Sequence, residues 1–344
     1  MTFETTTPDR TELPPVKHAP LLKVDDLCIK IASGAGDIWP LRGVSLSLKP
    51  GERLGVVGES GSGKSLTARA IMGLLPARAH IHSGSITLED TNLVSLPDAA
   101  MARIRGRRVA MVYQNPLTSL NPIKRIGAQL TEALRLMPDV SRREALQRAR
   151  ELLTEVGIPR PAERLASYPH ELSGGMRQRV MIAMALAEEP AVLIADEATT
   201  SLDVTTQARI LDLLDSVVSR RSLAVILITH DLGVASRFCE TINVMYAGRI
   251  VEKSPARRFF ETPRHPYSQK LIAAICRLDA DTATPLPVIR GEPAAAHGWL
   301  RGCAFAPRCP IASTDCETTD PPVVLSEDGS IECLHADIAS TLVS

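Results

Sequence analysis

Apolar and polar positions alternate over residues 21–31 and again over 41–48, where Leu41, Val44, Leu46 and Leu48 are the apolar members. A period of two predicts half-buried strands. Residues 53–57, 191–195 and 223–229 are instead continuous apolar runs, the pattern of parallel strands covered on both faces. Further strands are predicted at 84–88 and 109–113, and a strand pair at 242–246 and 249–252 turns at Ala247-Gly248. Helical periodicity marks 66–75, 126–137, 141–156, 174–187 and 205–220. In 141–156, Ser141 and Glu144 form a capping box, Leu146, Ala149, Leu153 and Val156 share a face, and Gly157 marks the stop. Pro161 opens a further short helix. The first third is thus β-rich, a helical stretch follows, and from residue 173 helices and strands alternate. That order predicts an α/β core with a parallel sheet. Beyond Ser254 prolines recur and the periodicity fades.

Composition narrows this little. A chain of 344 residues with 44% hydrophobic residues suits one large domain plus an addition. Thirty-nine basic side chains balance 39 acidic ones, and aromatics make up 3%, so neither a global field nor stacking platforms favour nucleic acid. Residues 1–20 are polar, lack an apolar signal core and read as a flexible tail. The longest apolar run, Val180 to Ala187, is far too short to span a membrane. The expectation is a soluble, cytoplasmic chain in which Cys28, Cys239, Cys276, Cys303, Cys309, Cys316 and Cys333 stay out of disulfides. The basic group Arg103, Arg105, Arg107 and Arg108 reads as a solvated face before a strand, or else a surface for lipid headgroups or a membrane partner.

The candidate chemistry centres on Gly58-Glu59-Ser60-Gly61-Ser62-Gly63-Lys64-Ser65, which fits G-x-x-x-x-G-K-[ST] between a predicted strand and a predicted helix. Glycines let backbone N–H groups wrap a phosphate, and the helix N-terminus adds partial positive charge. Lys64 is placed to reach the β- and γ-phosphates and Ser65 to ligate Mg²⁺. The strand at 191–195 ends in Asp196 and Glu197. Asp196 is expected beside Ser65 as a second Mg²⁺ ligand, and Glu197 can take a proton from an attacking water. In Leu172-Ser173-Gly174-Gly175-Met176-Arg177-Gln178, a hydroxyl and two glycines open a helix, a second anion-binding element in one chain.

Leu-Ser-Gly-Gly followed by Arg and Gln resembles the signature of ATP-binding cassette (ABC) ATPases. Other motifs of that family stand in order. Gln114 resembles the glutamine that senses Mg²⁺ and water, Ser201-Leu202-Asp203 the loop that crosses the dimer interface, and His230 the switch histidine at the γ-phosphate. The resemblance covers residues 21–252. It implies a parallel core sheet, an antiparallel β subdomain and an inserted helical subdomain. It also implies two cassettes clamping two ATP molecules head to tail. Gly58, Ser60, Gly61, Ser62, Gly63, Lys64, Ser65, Leu66, Gln114, Asp196, Glu197 and His230 then act on one ATP, while Ser173 and Gly175 serve the partner's; Gly174 and Asp203 are further nucleotide-binding candidates of the signature and the interface loop. Trp39 is either the ring that stacks on adenine or a structural Trp.

Two blocks narrow the branch. Gln114-Asn115-Pro116 through Ser119-Leu120-Asn121-Pro122, and Thr262-Pro263-Arg264-His265-Pro266-Tyr267 onward, are similar to oligopeptide, dipeptide and nickel importers. Cys303, Cys309, Cys316 and Cys333 leave gaps of five, six and sixteen residues, a spacing that allows a four-thiolate site without naming the metal. Gly302-Cys303 and Arg308-Cys309-Pro310 resemble the segment that holds a [4Fe–4S] cluster in peptide-importer ATPases; zinc and unliganded thiols are the alternatives. In that segment a His often directly follows the last Cys, whereas here Leu334 precedes His335. The expected organisation is a tail at 1–20, a nucleotide-binding domain at 21–260 with its helical subdomain at about 115–175, and a small irregular extension at 261–344. The expected setting is the cytoplasmic face of the inner membrane. There the chain would join a second ATPase subunit and two permeases, fed by an extracytoplasmic solute-binding protein. The cargo would be a peptide or, alternatively, nickel, an opine or a glutathione-like solute. A non-transport ABC ATPase is the remaining alternative.

Overall fold

The computed structural model describes residues 19–34, 36–113, 119–135, 140–198, 203–275, 288–292, 294 and 301–339. The expected tail, Gln114 and the first half of the block after it (115–118), Ser201, Leu202 and Cys276 fall outside the described residues, apart from Ala19 and Pro20 at the end of the tail. In chain order the elements begin with β1 (Leu22–Ile31), β2 (Ile38–Leu48), β3 (Arg53–Val57), α1 (Lys64–Ile71), β4 (Ala79–Leu88), β5 (Thr91–Asn92), α2 (Asp98–Ile104) and β6 (Val109–Val112). A helical group follows: α3 (Ile126–Leu134), α4 (Arg142–Glu155), α5 (Pro161–Arg164) and α6 (Gly174–Ala185). Then come β7 (Val192–Asp196), α7 (Val204–Arg221), β8 (Ala224–Thr229), α8 (Leu232–Phe238), β9 (Thr241–Tyr246) and β10 (Arg249–Pro255). The last elements are α9 (Ala256–Glu261), α10 (Pro266–Ala273), α11 (Asp315–Thr318), β11 (Val323–Ser326), β12 (Gly329–Glu332) and α12 (Ala336–Ala339).

Two sheets result. One is antiparallel, in the order β2-β1-β4-β5; the other has eight strands in the order β11-β12-β10-β9-β3-β8-β7-β6. Strands β9, β3, β8, β7 and β6 run parallel, so the strand that feeds the phosphate loop lies inside the sheet. The continuous apolar runs are explained by two cores on opposite faces of this sheet. Leu193, Ala195, Val225 and Leu227 point into a core shared with the helices. Val192, Ile194, Ala224, Ile226 and Ile228 point into one shared with the antiparallel sheet. At roughly 25 cal/mol per Å² of apolar surface, this two-sided burial is the main source of the sheet's stability.

The helices and strands follow the sequence pattern with several corrections, among them that the helix after the loop stops at Ile71 instead of 75 and that Asp98–Ile104 and Leu232–Phe238 are helices it did not predict. Helix α1 begins two residues earlier than predicted, at Lys64, because Gly63 caps it in the left-handed region (φ 109°). The capping box of Ser141 and Glu144 forms on α4, but Leu146 is 51% exposed. The buried face of α4 is carried by Ala145, Ala149, Leu152 and Leu153, with Val156 just beyond, so Leu146 sits on the other side. The region past residue 254 is more regular than its prolines suggest. Strand β12 pairs with β10 through Glu252–Ile331 and Lys253–Ser330 and so lengthens the main sheet. Ion pairs Arg249–Glu332 and Arg258–Asp328 tie it down.

Candidate functional site

The phosphate loop leaves β3 at Gly58 and enters α1 at Lys64. Gly58, Gly61 and Gly63 all have φ between 79° and 152°, a region open to glycine. A Cβ on Gly63 would lie 2.6 Å from Leu41 and 2.7 Å from Met245, so glycine also permits the close packing of loop on sheet. Lys64 is buried, and its Nζ donates to Gly58 O and Glu59 O, each at 2.8 Å, and to Ser62 Oγ at 3.4 Å. The ammonium thus lies across the loop instead of extending from it. Burial lowers its pKa, and the negative charges of Glu197, Asp196 and Glu59 oppose that.

Ser65 Oγ donates to Asp196 Oδ1 at 2.8 Å. Asp196 ends β7 beside α1 because β7 is parallel to β8 and β8 to β3. Its pKa is raised, first by burial, with Ser65, Arg69 and Lys64 pulling it back. A hydroxyl and a buried carboxylate are the hard oxygen donors that Mg²⁺ uses alongside phosphate and water. The residues present therefore fit that ion. Glu197 follows with φ 47°, its N–H bonded to Ile228 O at 2.9 Å. That turn aims the carboxylate at His230, whose Nδ1 lies 3.3 Å from Glu197 Oε1.

A second group forms at two helix starts. Ser173 caps α6, its Oγ accepting from Met176 N–H at 3.3 Å. Asp203 caps α7 by accepting from Thr206 N–H and Oγ1 at 2.9 and 2.7 Å, bonds that hold its pKa low. A Cβ on Gly175 would lie 2.6 Å from Thr206 Cγ2, so the two starts are in contact and glycine is needed there. Ser173, Gly174 and Asp203 are exposed. The structure thus gathers Gly58–Ser65, Asp196, Glu197 and His230 in one place and Ser173–Gly175 with Asp203 in another. Trp39 packs edge-on against His82 at 4.9 Å between ring centroids, with Lys30 Nζ 5.8 Å from the Trp ring centre.

The four late cysteines share one lobe. Cys303 N–H donates to Cys316 O at 2.7 Å, and Ser313 Oγ bridges Cys316 Sγ (3.6 Å) and His335 Nε2 (2.9 Å). Burial pushes the thiols of Cys303, Cys309 and Cys333 up, Cys303 to about 11, and the neighbouring thiols add to the shift. Among the described residues no three His, Cys, Asp or Glu side chains converge closely enough to hold one metal ion.

Sequence reasoning passed over one contact. Glu59, a variable position of the loop motif, is gripped by Arg308 and Tyr267 from the far end of the chain. A buried arginine has no periodic signature, and the residues lie 249 and 208 positions apart.

A phosphate loop, an acidic strand end and a serine-capped glycine helix on a parallel sheet flanked by an antiparallel one define a nucleotide-binding cassette. Residues 41–200 match the family described as ABC transporter, and residues 251–316 match the oligopeptide/dipeptide transporter C-terminal region. The chain is 46% identical over 301 residues to the oligopeptide transport ATP-binding protein OppD of Salmonella typhimurium, covering 88% of this chain and 89% of that one. It is 43% identical over 324 residues to OppD of Mycobacterium tuberculosis, covering 94% of this chain; it spans about half (53%) of that relative's length. Among solved structures, the dimeric post-hydrolysis state of the ATP-binding cassette MJ0796, bound to ADP and Pi, superposes with a TM-score of 0.62 at 28% identity. That match covers 69% of this chain and 99% of the other. The chain belongs to the ABC transporter ATP-binding family. Among the described residues no helix is long and apolar enough to cross a membrane.

Proposed function

We propose that this chain is the ATPase subunit that powers import of peptides, or a related small solute, through ATP-driven closure of two cassettes. The observation that carries it is the convergence of Lys64, the Ser65–Asp196 pair and the Glu197–His230 pair around one glycine loop. The peptide class rests on the matched C-terminal region and on the relatives' names.

In this reading loop N–H groups and Lys64 hold the phosphates. Ser65 and Asp196, joined by Gln114 on the family resemblance, would hold Mg²⁺, which would neutralise charge that develops on the transferred phosphoryl group. Glu197 orients water and accepts its proton, and His230 fixes the Glu197 carboxylate and faces the γ-phosphate. Ser173, Gly174, Gly175 and Asp203, at two helix starts, complete the site of a second ATPase subunit. Hydrolysis therefore requires two cassettes.

The tail (1–20), cassette (21–260) and extension (261–344) divide the labour. The helical part receives a permease along a groove of about 1320 Å³ lined by Lys124, Arg125, Arg135, Arg142 and Arg150. The setting is peripheral, on the cytoplasmic face of the inner membrane, with two permeases and an extracytoplasmic binding protein supplying solute. Cys303, Cys309, Cys316 and Cys333 hold a [4Fe–4S] cluster whose role is structural. Two assays test this reading. ATP hydrolysis should rise when the chain is combined with its permeases and solute-loaded binding protein in liposomes; hydrolysis indifferent to them would sink the transport role. Anaerobic preparations should contain about four irons per chain; an iron-free, colourless preparation would remove the cluster and leave the ATPase reading intact.

A further inference from the structure

Glu59 is held at every polar group it has. Its carboxylate receives both arms of Arg308, Nη1 to Oε2 at 2.8 Å and Nη2 to Oε1 at 3.0 Å. Its N–H donates to the Tyr267 hydroxyl at 2.8 Å. Its carbonyl accepts from Lys64 Nζ. The Arg308 side chain is 4% exposed, and its remaining N–H groups go to Tyr246 Oη, Arg290 O and Ile289 O at 3.1–3.2 Å. Tyr246, Tyr267 and Phe305 cluster beside it, tilted or edge-on to one another, with ring centroids 4.6–5.3 Å apart. Arg308 ends a single turn, Ala306–Arg308, set between Cys303 and Cys309.

We infer that Arg308 and Tyr267 are positioning residues for ATP: they pin the Glu59 corner of the phosphate loop and thereby set where Lys64 is held. The inference rests on the ATP-site reading above. A short glycine loop has little stiffness of its own, because glycine carries the largest conformational entropy to be lost on ordering. Fixing one corner by a bidentate, part-buried ion pair and one backbone hydrogen bond lowers what binding must organise. Charge-assisted bonds of this kind are the strong ones. The extension is thus part of the nucleotide site although it touches no phosphate, and nucleotide affinity depends on how that lobe is packed.

The test measures Mg²⁺-dependent binding of a fluorescent ATP analogue to the full chain, with steady-state hydrolysis alongside. Arg308→Ala, Glu59→Gln and Tyr267→Phe should each raise Kd and KM, Arg308→Ala on the order of tenfold, with kcat at saturating ATP within about twofold because Lys64 and Glu197 remain. Arg308→Lys, which keeps charge but not the fork, should fall between. Combining Arg308→Ala with Glu59→Gln should cost no more than the worse single change, since both break one contact. A residue that only helped folding would instead reduce the number of sites and leave the Kd of the folded fraction unchanged; that result overturns the inference. So does wild-type affinity in both Tyr267→Phe and Glu59→Gln. A wild-type chain that fails to bind the analogue overturns the ATP-site reading itself and this inference with it.

Discussion

Asp196→Asn should make the nucleotide-free chain more stable and the nucleotide-bound chain less so. Asp196 is 6% exposed, and burial outweighs Ser65, Arg69 and Lys64 in raising its pKa. Its charge is therefore a net cost to the apo fold at neutral pH. Asn keeps the shape and can still accept from the Ser65 hydroxyl through Oδ1. Removing a partly compensated buried charge should add about 1 kcal/mol. For a chain of this size that is a rise in Tm of roughly 2 °C. Mg²⁺ and ATP at a hundred times Kd should stabilise the wild type by about 2.7 kcal/mol, or roughly 5 °C. Asp196→Asn, lacking the carboxylate, should gain almost none of that, so the order of melting temperatures inverts on adding Mg²⁺-ATP. Scanning fluorimetry with and without Mg²⁺-ATP measures it. The pH dependence follows in sign. The folded pKa of Asp196 lies above the unfolded one, so its relative contribution is most favourable below the ordinary carboxylate range and is lost as pH rises through the folded value. The apo advantage of Asp196→Asn should therefore shrink on acidification. An apo Tm below wild type at pH 7, or an unchanged Mg²⁺-ATP shift, would refute this account of Asp196.

Glu197→Gln should bind Mg²⁺-ATP as the wild type does while hydrolysis falls at least a hundredfold; normal turnover would contradict Glu197 as the base. Ser173→Arg should impair hydrolysis of the ATP held by a wild-type partner in mixed dimers, read as loss of activity greater than simple dilution, while its own chain's loop still binds nucleotide. His265, fully buried with Nδ1 accepting from Tyr267 N–H at 3.0 Å, is held neutral by burial, its pKa pushed down to about 3. A depressed folded pKa contributes stability above the unfolded value near 6.5 that is lost as pH falls toward 3. His265→Asn, a non-titrating cap at the same helix start, should narrow its stability gap to wild type, or overtake it, as denaturation midpoints are followed from pH 7 to pH 5.

What could be read from the sequence was local. Gly58 to Ser65, the acids after 191–195 and Ser173-Gly174-Gly175 each declare themselves within a dozen residues, because glycine, charge and hydrophobic run serve one small structure. The strands of the main sheet were visible because each feeds two cores at once. Strand β11 was not: Val323 and Leu325 are 61% and 79% exposed, so burial left no pattern there. Leu146 misled because a helix face is defined by what packs on it, and small Ala145 and Ala149 carry that contact. The clasp on Glu59 was hidden for another reason: an ion pair between distant residues depends on the tertiary fold alone.

The position of β3 also bears on synthesis at the ribosome. Its two neighbours, β8 and β9, begin at Ala224 and Thr241, whereas β3 ends at Val57. The antiparallel strands β1, β2 and β4 can pair soon after they emerge, but β3 must wait for both flanks. At 5–20 residues per second that delay is on the order of ten to forty seconds. Throughout it, a nascent chain displays Leu54, Val56 and Val57 without a sheet to cover them. Rare codons or truncations upstream of residue 246 should therefore yield aggregation of the nascent chain, not merely an inactive ATPase.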